Sequence, residues 1–171
     1  EALAAFGFTT DKPTVFIVGG SLGAKRINET VLANSAWFAT NKVQLIWQTG
    51  NLYYDTCIKA QGTLGSGAQI KAFISDMALA YAAADVVVSR AGAIALSELT
   101  SLGKTSILIP SPNVAEDHQK KNALTLVKNH AAILVEEKDM DNQLFVALKL
   151  VLENPQKQQE LAANCKSMAQ P

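Results

Sequence analysis

Short runs of β-branched and aliphatic residues alternate along this chain with longer segments of helical period, and that alternation limits the fold more than any other feature. The runs are Thr14–Val18, Val43–Gln48, Gln69–Phe73, Val86–Ser89, Ser106–Ile109 and Ala132–Val135. Each is brief and almost continuously apolar, as parallel strands buried on both faces are. Helical segments fall between them: Ala24–Ala39, Leu52–Ala60, Met77–Ala83, Ala93–Leu102, Asp117–Asn129 and Asp141–Glu153. A last one, Pro155–Met168, opens with proline at a first-turn position that tolerates it. Right-handed crossovers then put helices on both faces. The expected fold is α/β, a doubly wound, Rossmann-like parallel sheet. No repeat or charge run breaks the pattern, and Gly62–Gly67 reads as a flexible loop, so residues 1–171 read as one domain.

Composition narrows the partners. With 15 basic and 15 acidic residues in 171, the chain carries no formal net charge. Broad nucleic-acid binding needs a basic face to replace counterions, so no nucleic-acid partner is expected. One phosphate-bearing ligand is still compatible, because it needs only a few local donors. Cys57 and Cys165 lie far apart without metal-type spacing and fit a reducing compartment. The most apolar stretch, Met77 to Val88, is interrupted by Asp85 and is too short to span a bilayer. A cytosolic protein is expected. Glu1-Ala2-Leu3 reads as mid-helix, and the chain stops at Pro171 straight after a helical pattern, which suggests a piece of a longer protein.

Ligands of open α/β sheets sit beyond the carboxyl ends of the strands. The first strand is followed by Gly19-Gly20-Ser21-Leu22-Gly23-Ala24, leading into a helix. Glycines allow a tight turn and close backbone approach, and a helix N-terminus offers N–H groups and positive partial charge. Packing alone would also explain the turn. It has neither the Gly-Lys-Ser/Thr ending of a P-loop nor the full G-x-G-x-x-G dinucleotide spacing, so ATPase and NAD readings weaken.

A second small-residue turn follows the fourth strand: Ser89-Arg90-Ala91-Gly92, then a helix beginning Ala93-Ile94-Ala95-Leu96-Ser97-Glu98. Two such turns on neighbouring strands could close on one diphosphate, neutralised by Arg90 and the amides around Gly92 to Ile94. Glu98 could accept from both ribose hydroxyls, or simply favour the helix dipole or pair with Lys104. After the fifth strand, His118, Gln119 and Asn122 are short-range hydrogen bonders suited to sugar hydroxyls, though each also fits a solvated helix face. After the third strand, Phe73 could flank a base and the Ile74 backbone could exchange hydrogen bonds with a base edge, while Asp76 caps the next helix. Asp139-Met140-Asp141 matches a metal-holding D-x-D pattern but reads as helix capping. No metal and no cofactor are expected within the domain.

The order of these signals carries more than any one of them. GGSLGAKRIN at 19–28, FISDM at 73–77, SRAGAIALSEL at 89–99, ILIPSPNVAEDHQKKNA at 107–123 and AAILVEE at 131–137 resemble, over nearly the whole chain, the C-terminal domain of the MurG family of glycosyltransferases. That family adds N-acetylglucosamine to lipid I in peptidoglycan synthesis. The resemblance implies the C-terminal half of a GT-B enzyme binding UDP-N-acetylglucosamine, with an N-terminal acceptor-binding half outside this chain. It implies that Ser21 touches the diphosphate with Gly20 beside it, and that Ile74 meets the uracil through its backbone near Phe73. Ala93 and Ile94 would present amides to phosphate at the head of the Ala93–Glu98 block. Glu98 would hold the ribose, Gln119 would read the sugar, and Arg90 would stand near the site. Ala91 replaces a serine of many relatives, and His118-Gln119 replaces a Gln-Gln, so the contact of His118 is open. The implied chemistry is inverting transfer, with acceptor lipid I at the cytoplasmic face of the bacterial inner membrane and the whole protein peripheral there. The base would lie in the other half, so no catalytic residue is expected in this chain, and the chain alone is expected to be inactive. Alternatives are a stand-alone donor-binding subunit of another GT-B enzyme, half of a UDP-sugar 2-epimerase, or a non-catalytic nucleotide-sensing module.

Overall fold

The computed structural model describes residues 1–20, 23–113 and 118–170. By contact density the chain divides into two compact units, Glu1–Asp85 and Val86–Pro171. The strands of the first unit lie in the order Ala68–Lys71, Gln44–Gln48, Thr14–Val18, and those of the second in the order Val86–Ser89, Ser106–Leu108, Ile133–Leu134.

The first unit contains helix α1 (Ala2–Ala5), strand β1 (Thr14–Val18), helices α2 (Lys25–Ala33) and α3 (Ala36–Thr40), and strand β2 (Gln44–Gln48). Short helices α4 (Tyr54–Cys57) and α5 (Gln61–Leu64) follow, then strand β3 (Ala68–Lys71) and helix α6 (Met77–Ala83). Every residue of β1 and β2 is buried, the apolar middles as a sheet covered on both faces requires and the polar ends Thr14, Gln44 and Gln48 with them. Strand β3 alternates buried and more open positions. Its ladder with β2 is parallel, as is that of β1 with β2, running from Thr14↔Gln44 to Val18↔Gln48. Because Gln48 is paired with Val18 on one side and Lys71 on the other, all three strands end at the same sheet edge.

Polar side chains close this unit where hydrogen bonds must be satisfied. Asp85 accepts the Thr14 N–H at 2.8 Å and its own N–H donates to the Thr14 carbonyl, so the head of β1 is bonded to a residue 71 positions away. Gln44 accepts from the Thr9 N–H and donates to the Thr9 carbonyl, which fixes the segment entering β1. The fully buried Trp47 donates its indole N–H to Asn28 Oδ1 at 3.0 Å.

The second unit contains β4 (Val86–Ser89), α7 (Ala93–Leu102), β5 (Ser106–Leu108), α8 (His118–Lys128), β6 (Ile133–Leu134), α9 (Met140–Leu152) and α10 (Pro155–Ser167). Its ladders are parallel, with Ser89↔Leu108 and Leu108↔Leu134 at the strand ends. Helix α7 stops at Gly103, whose left-handed backbone (φ +65°) a side chain would strain. Asn154 caps α10 through its side-chain oxygen, with Pro155 in the first turn as expected.

Several expected boundaries move. The single helix expected over Ala24–Ala39 is two. The Asn34 side chain donates to the Thr30 carbonyl at 2.9 Å, competing with the backbone at the end of α2, and Ser35 follows. The helix expected over Leu52–Ala60 is a succession of short pieces, α4, a 3-10 turn at Ile58–Ala60 and α5. Gly62–Gly67 is therefore no loop: its first half lies in α5 and Gly65–Gly67 is a 3-10 turn, tied by Gln61 Nε2 to the Gly65 and Ala68 carbonyls. Asp139 occupies the N-cap position of α9, yet its side chain makes no capping bond. Asp76 does cap α6, accepting from the Leu79 N–H. No helix among the described residues is long and apolar enough to cross a membrane.

Candidate functional site

The chemistry gathers where the strands end. In the first unit the glycine turn after β1 presses on its neighbours. A Cβ on Gly19 would stand 2.5 Å from that of Ala24, and one on Gly23 would overlap the Thr49 carbonyl. Gly20 is different. Its φ of +96° calls for glycine, and the space beside it is open. A Gly23 N–H to Gly20 carbonyl bond at 3.1 Å precedes α2, whose N-cap residue, Ala24, contributes no side-chain cap. Asn28, buried on α2, donates to the Thr49 carbonyl at 2.9 Å, holding the helix against the end of β2. Ser21, the hydroxyl expected to touch a diphosphate, lies outside the described residues, as does the 114–117 segment before α8.

Beyond β3, Phe73 is 56 % exposed and Ile74 is buried. The strand expected to run through Phe73 ends at Lys71, and the Ile74 N–H turns to the side chain of Gln48, at 2.8 Å. The donor half of the expected base-edge exchange is thus occupied from within the protein. A cavity of about 310 Å³ opens here, lined among others by Phe6, Lys71, Phe73, Ile74 and Leu79.

In the second unit, α7 begins after Gly92. Its first backbone bond is from the Leu96 N–H to the Gly92 carbonyl, 3.0 Å, so the N–H groups of Ala93, Ile94 and Ala95 stand ahead of the helical ladder. The N-cap residue, Gly92, contributes no side-chain cap. Ala93, Ile94 and Ser97 are exposed, Ala95 and Glu98 half-buried and Leu96 buried, so Leu96 could meet a ligand only through its backbone. A helix N-terminus whose first N–H groups are outside the helical ladder attracts an anion through its partial positive charge.

Two side chains of α8 support that turn. Gln119, buried, accepts through Oε1 from the Ala91 N–H at 3.3 Å and from the Ser111 N–H at 2.9 Å. Its Nε2 lies beside Gly92, 3.8 Å from where a Cβ would be. Asn122 donates to the Ala91 carbonyl at 3.2 Å. Both hold the backbone of the turn that leads into α7. His118 is exposed at the start of α8.

Arg90 faces inward. Nη1 donates to the Ile109 and Pro110 carbonyls at 3.2 and 3.3 Å, and Nη2 meets the Glu137 carboxylate at 2.5 Å as an ion pair, each side chain 15 % exposed. Its charge is matched by Glu137 and binds the ends of β4 and β5 to the 3-10 turn at Glu137–Asp139. The expected role of neutralising a diphosphate therefore competes with an internal partner that the sequence did not reveal. Farther out, a hydrogen bond from Lys120 holds the Glu136 carboxyl below its ordinary range. Among the described residues no three His, Cys, Asp or Glu side chains cluster as metal ligands would.

Gln48, Thr49 and Glu137 are the residues that sequence reasoning passed over. For Gln48 and Glu137 the polar residue at or after the end of an apolar run is visible in the sequence, but its turning inward is not.

The chain matches the Glycosyltransferase family 28 C-terminal domain over residues 14–170. It is 44 % identical over its whole length to a Flavobacterium psychrophilum protein named UDP-N-acetylglucosamine–N-acetylmuramyl-(pentapeptide) pyrophosphoryl-undecaprenol N-acetylglucosamine transferase. It is 47 % identical over 99 % of its length to a Bacteroides thetaiotaomicron protein of the same name. In each case it spans 46 % of the relative, about half the length. The crystal structure of Acinetobacter baumannii MurG superposes with a TM-score of 0.81 at 30 % identity, over 95 % of this chain and 50 % of that one. The fold is accordingly the doubly wound, Rossmann-like one expected from the sequence, of the kind found in the C-terminal half of a GT-B glycosyltransferase, and the chain belongs to the glycosyltransferase family 28 C-terminal domain family.

Proposed function

We propose that this chain binds UDP-N-acetylglucosamine as the donor half of an inverting glycosyltransferase that transfers N-acetylglucosamine to lipid I. The observation that carries the reading is the N-terminus of α7, where Gly92 gives no side-chain cap and the N–H groups of the exposed residues Ala93 and Ile94 stand ahead of the helical ladder, with the preceding turn braced by Gln119 and Asn122. Such an end suits a diphosphate, and Glu98, one and a half turns on, suits a ribose diol. The names of the relatives supply the sugar and the acceptor.

In the reaction an acceptor hydroxyl attacks the anomeric carbon, the bond from that carbon to the phosphate oxygen breaks, and UDP leaves. Negative charge grows on the departing diphosphate. Fixed helix-terminal amides stabilise such charge without reorganising, which is the contribution this chain's own groups make. The acceptor's proton goes to a base in a second, acceptor-binding half. With charge stabilised by helix amides, the domain needs no divalent metal. The whole protein would work at the cytoplasmic face of the inner membrane, where lipid I presents its head group.

Calorimetric titration with UDP-N-acetylglucosamine, UDP-glucose, UDP and GDP-mannose tests the reading, repeated on Glu98→Ala and in excess EDTA. Selective uridine binding is expected, insensitive to EDTA and weakened by roughly 1–3 kcal/mol in the variant, the cost of lost ligand hydrogen bonds. Equal affinity for guanosine and uridine compounds would overturn it.

A further inference from the structure

Gln48 closes β2 and is 3 % exposed. Its amide is used at both ends. Nε2 donates to the Gly20 carbonyl at 3.0 Å, and Oε1 accepts from the Ile74 N–H at 2.8 Å. Gly20 lies in the glycine turn after β1, and Ile74 in the segment after β3. The ladder register sets Gln48 between Val18 and Lys71, so one side chain reaches both flanking turns from the middle strand. Among uncharged side chains a carboxamide offers a donor and an acceptor from separate atoms, which this bridge requires. A leucine or valine, as the rest of the strand would suggest, could make neither bond.

The chemical consequence lies at Ile74. Once its N–H is donated inward, what that residue's backbone offers a ligand is its carbonyl, an acceptor. A pyrimidine with a ring N–H, as in uracil, pairs with an acceptor. Cytosine has a lone pair at that ring nitrogen and would set two acceptors against each other, an arrangement that costs the desolvation of both.

We infer that Gln48 is a positioning residue for the donor nucleotide: it commits the Ile74 peptide to acceptor character toward the base and at the same time tethers the Gly20 turn. Base choice and phosphate binding are then coupled through one buried amide. This rests on the uridine-nucleotide reading above.

The test is titration of the wild-type chain, Gln48→Met and Gln48→Glu with UDP, CDP and uridine at pH 8, alongside circular dichroism and residue-resolved amide exchange. Gln48→Met loses both bonds, and the UDP-to-CDP preference is expected to fall about tenfold or more, the size of one hydrogen-bond mismatch. Gln48→Glu still accepts from the Ile74 N–H but has no donor for Gly20. It should keep the UDP-to-CDP ratio within about twofold while the UDP-to-uridine ratio falls about tenfold. A residue serving stability alone would not separate the two ratios. Both ratios unchanged in Gln48→Met overturn the inference. If Gln48→Met does not fold, an unchanged UDP-to-uridine ratio in Gln48→Glu overturns it instead. Should the wild-type chain bind no uridine nucleotide, it is the functional reading that fails. The brace is then judged by the Ile74 amide, whose exchange should be at least about tenfold faster in Gln48→Met than in Gln48→Glu; equal exchange overturns it.

Discussion

A buried amide or thiol has few ways to be satisfied, and Asn28, Cys57 and Cys165 are all buried. Asn28 accepts from Trp47 and donates to the Thr49 carbonyl, so Asn28→Ala strands a buried indole N–H and a backbone carbonyl together. The expected loss is roughly 1–3 kcal/mol for each group left unsatisfied, read from the urea unfolding midpoint; a change below about 0.5 kcal/mol would contradict the assignment. The thiols behave differently. Burial pushes Cys57 and Cys165 from the ordinary 9.0 up to about 11. An unfolded chain sheds these protons near pH 9 while the folded chain keeps them, so unfolding releases protons between those values. Their contribution is intact below about pH 9 and is lost as pH rises through 11. Urea midpoints should therefore fall between pH 8.5 and 10, and less steeply when both cysteines are replaced by alanine. At this scale the sequence was legible where a local pattern assigned a role, as the capping position of Asp76 did. It was opaque for Gln48 and Glu137, because nothing local tells whether a polar side chain at the end of a run turns into the protein or out to solvent.

Elements were legible wherever period and punctuation agreed. Helices α6 and α7 and strands β1 and β4 fall on their expected residues, each bounded by a strong stop such as Gly103 or a cap such as Asp76. Misreadings came from competition. Apolar spacing ran on through Asn34-Ser35, but the Asn34 side chain took the Thr30 carbonyl and ended the helix. Strand β3 was expected to continue to Phe73, and a long-range bond from Gln48 drew Ile74 away. Interlocking elements also give their own predictions. Gly103→Ala forces a left-handed backbone on alanine and brings a Cβ 2.9 Å from that of Lys166 on α10. It should cost more than the roughly 1–2 kcal/mol of the backbone alone, measured by thermal denaturation. Glu137→Ala removes the carboxylate partner of a largely buried guanidinium that also holds the ends of β4 and β5. A loss of about 1.5–3 kcal/mol is expected, from hydrogen bonding to a charged group. Glu137→Gln should recover part of it; equal stability of all three proteins would remove the pair from the account.

For the molecule as a whole, the fold class was the most legible property, since alternation of period leaves few architectures. The turns of the candidate site were legible, and the side chains that brace them were not. Glycine turns and helix starts appear in the sequence, whereas the two backbone N–H groups that Gln119 holds through its oxygen do not. Transfer of N-acetylglucosamine to lipid I by this chain alone should be undetectable, because the proposed base belongs to the other half. Turnover by the isolated chain, followed with radiolabelled donor, would contradict that division of labour.

The bond between Thr14 and Asp85 has a consequence in time. The head of β1 is finished by a residue 71 positions later, so a nascent first unit cannot satisfy that strand until the segment through Asp85 has left the ribosome. Closing so long a loop is slow in refolding as well, since its entropy is spent before the contact repays it. The strand that opens this unit is thus secured only once the rest of the unit has been made, and until then its apolar length depends on whatever shelters a growing chain.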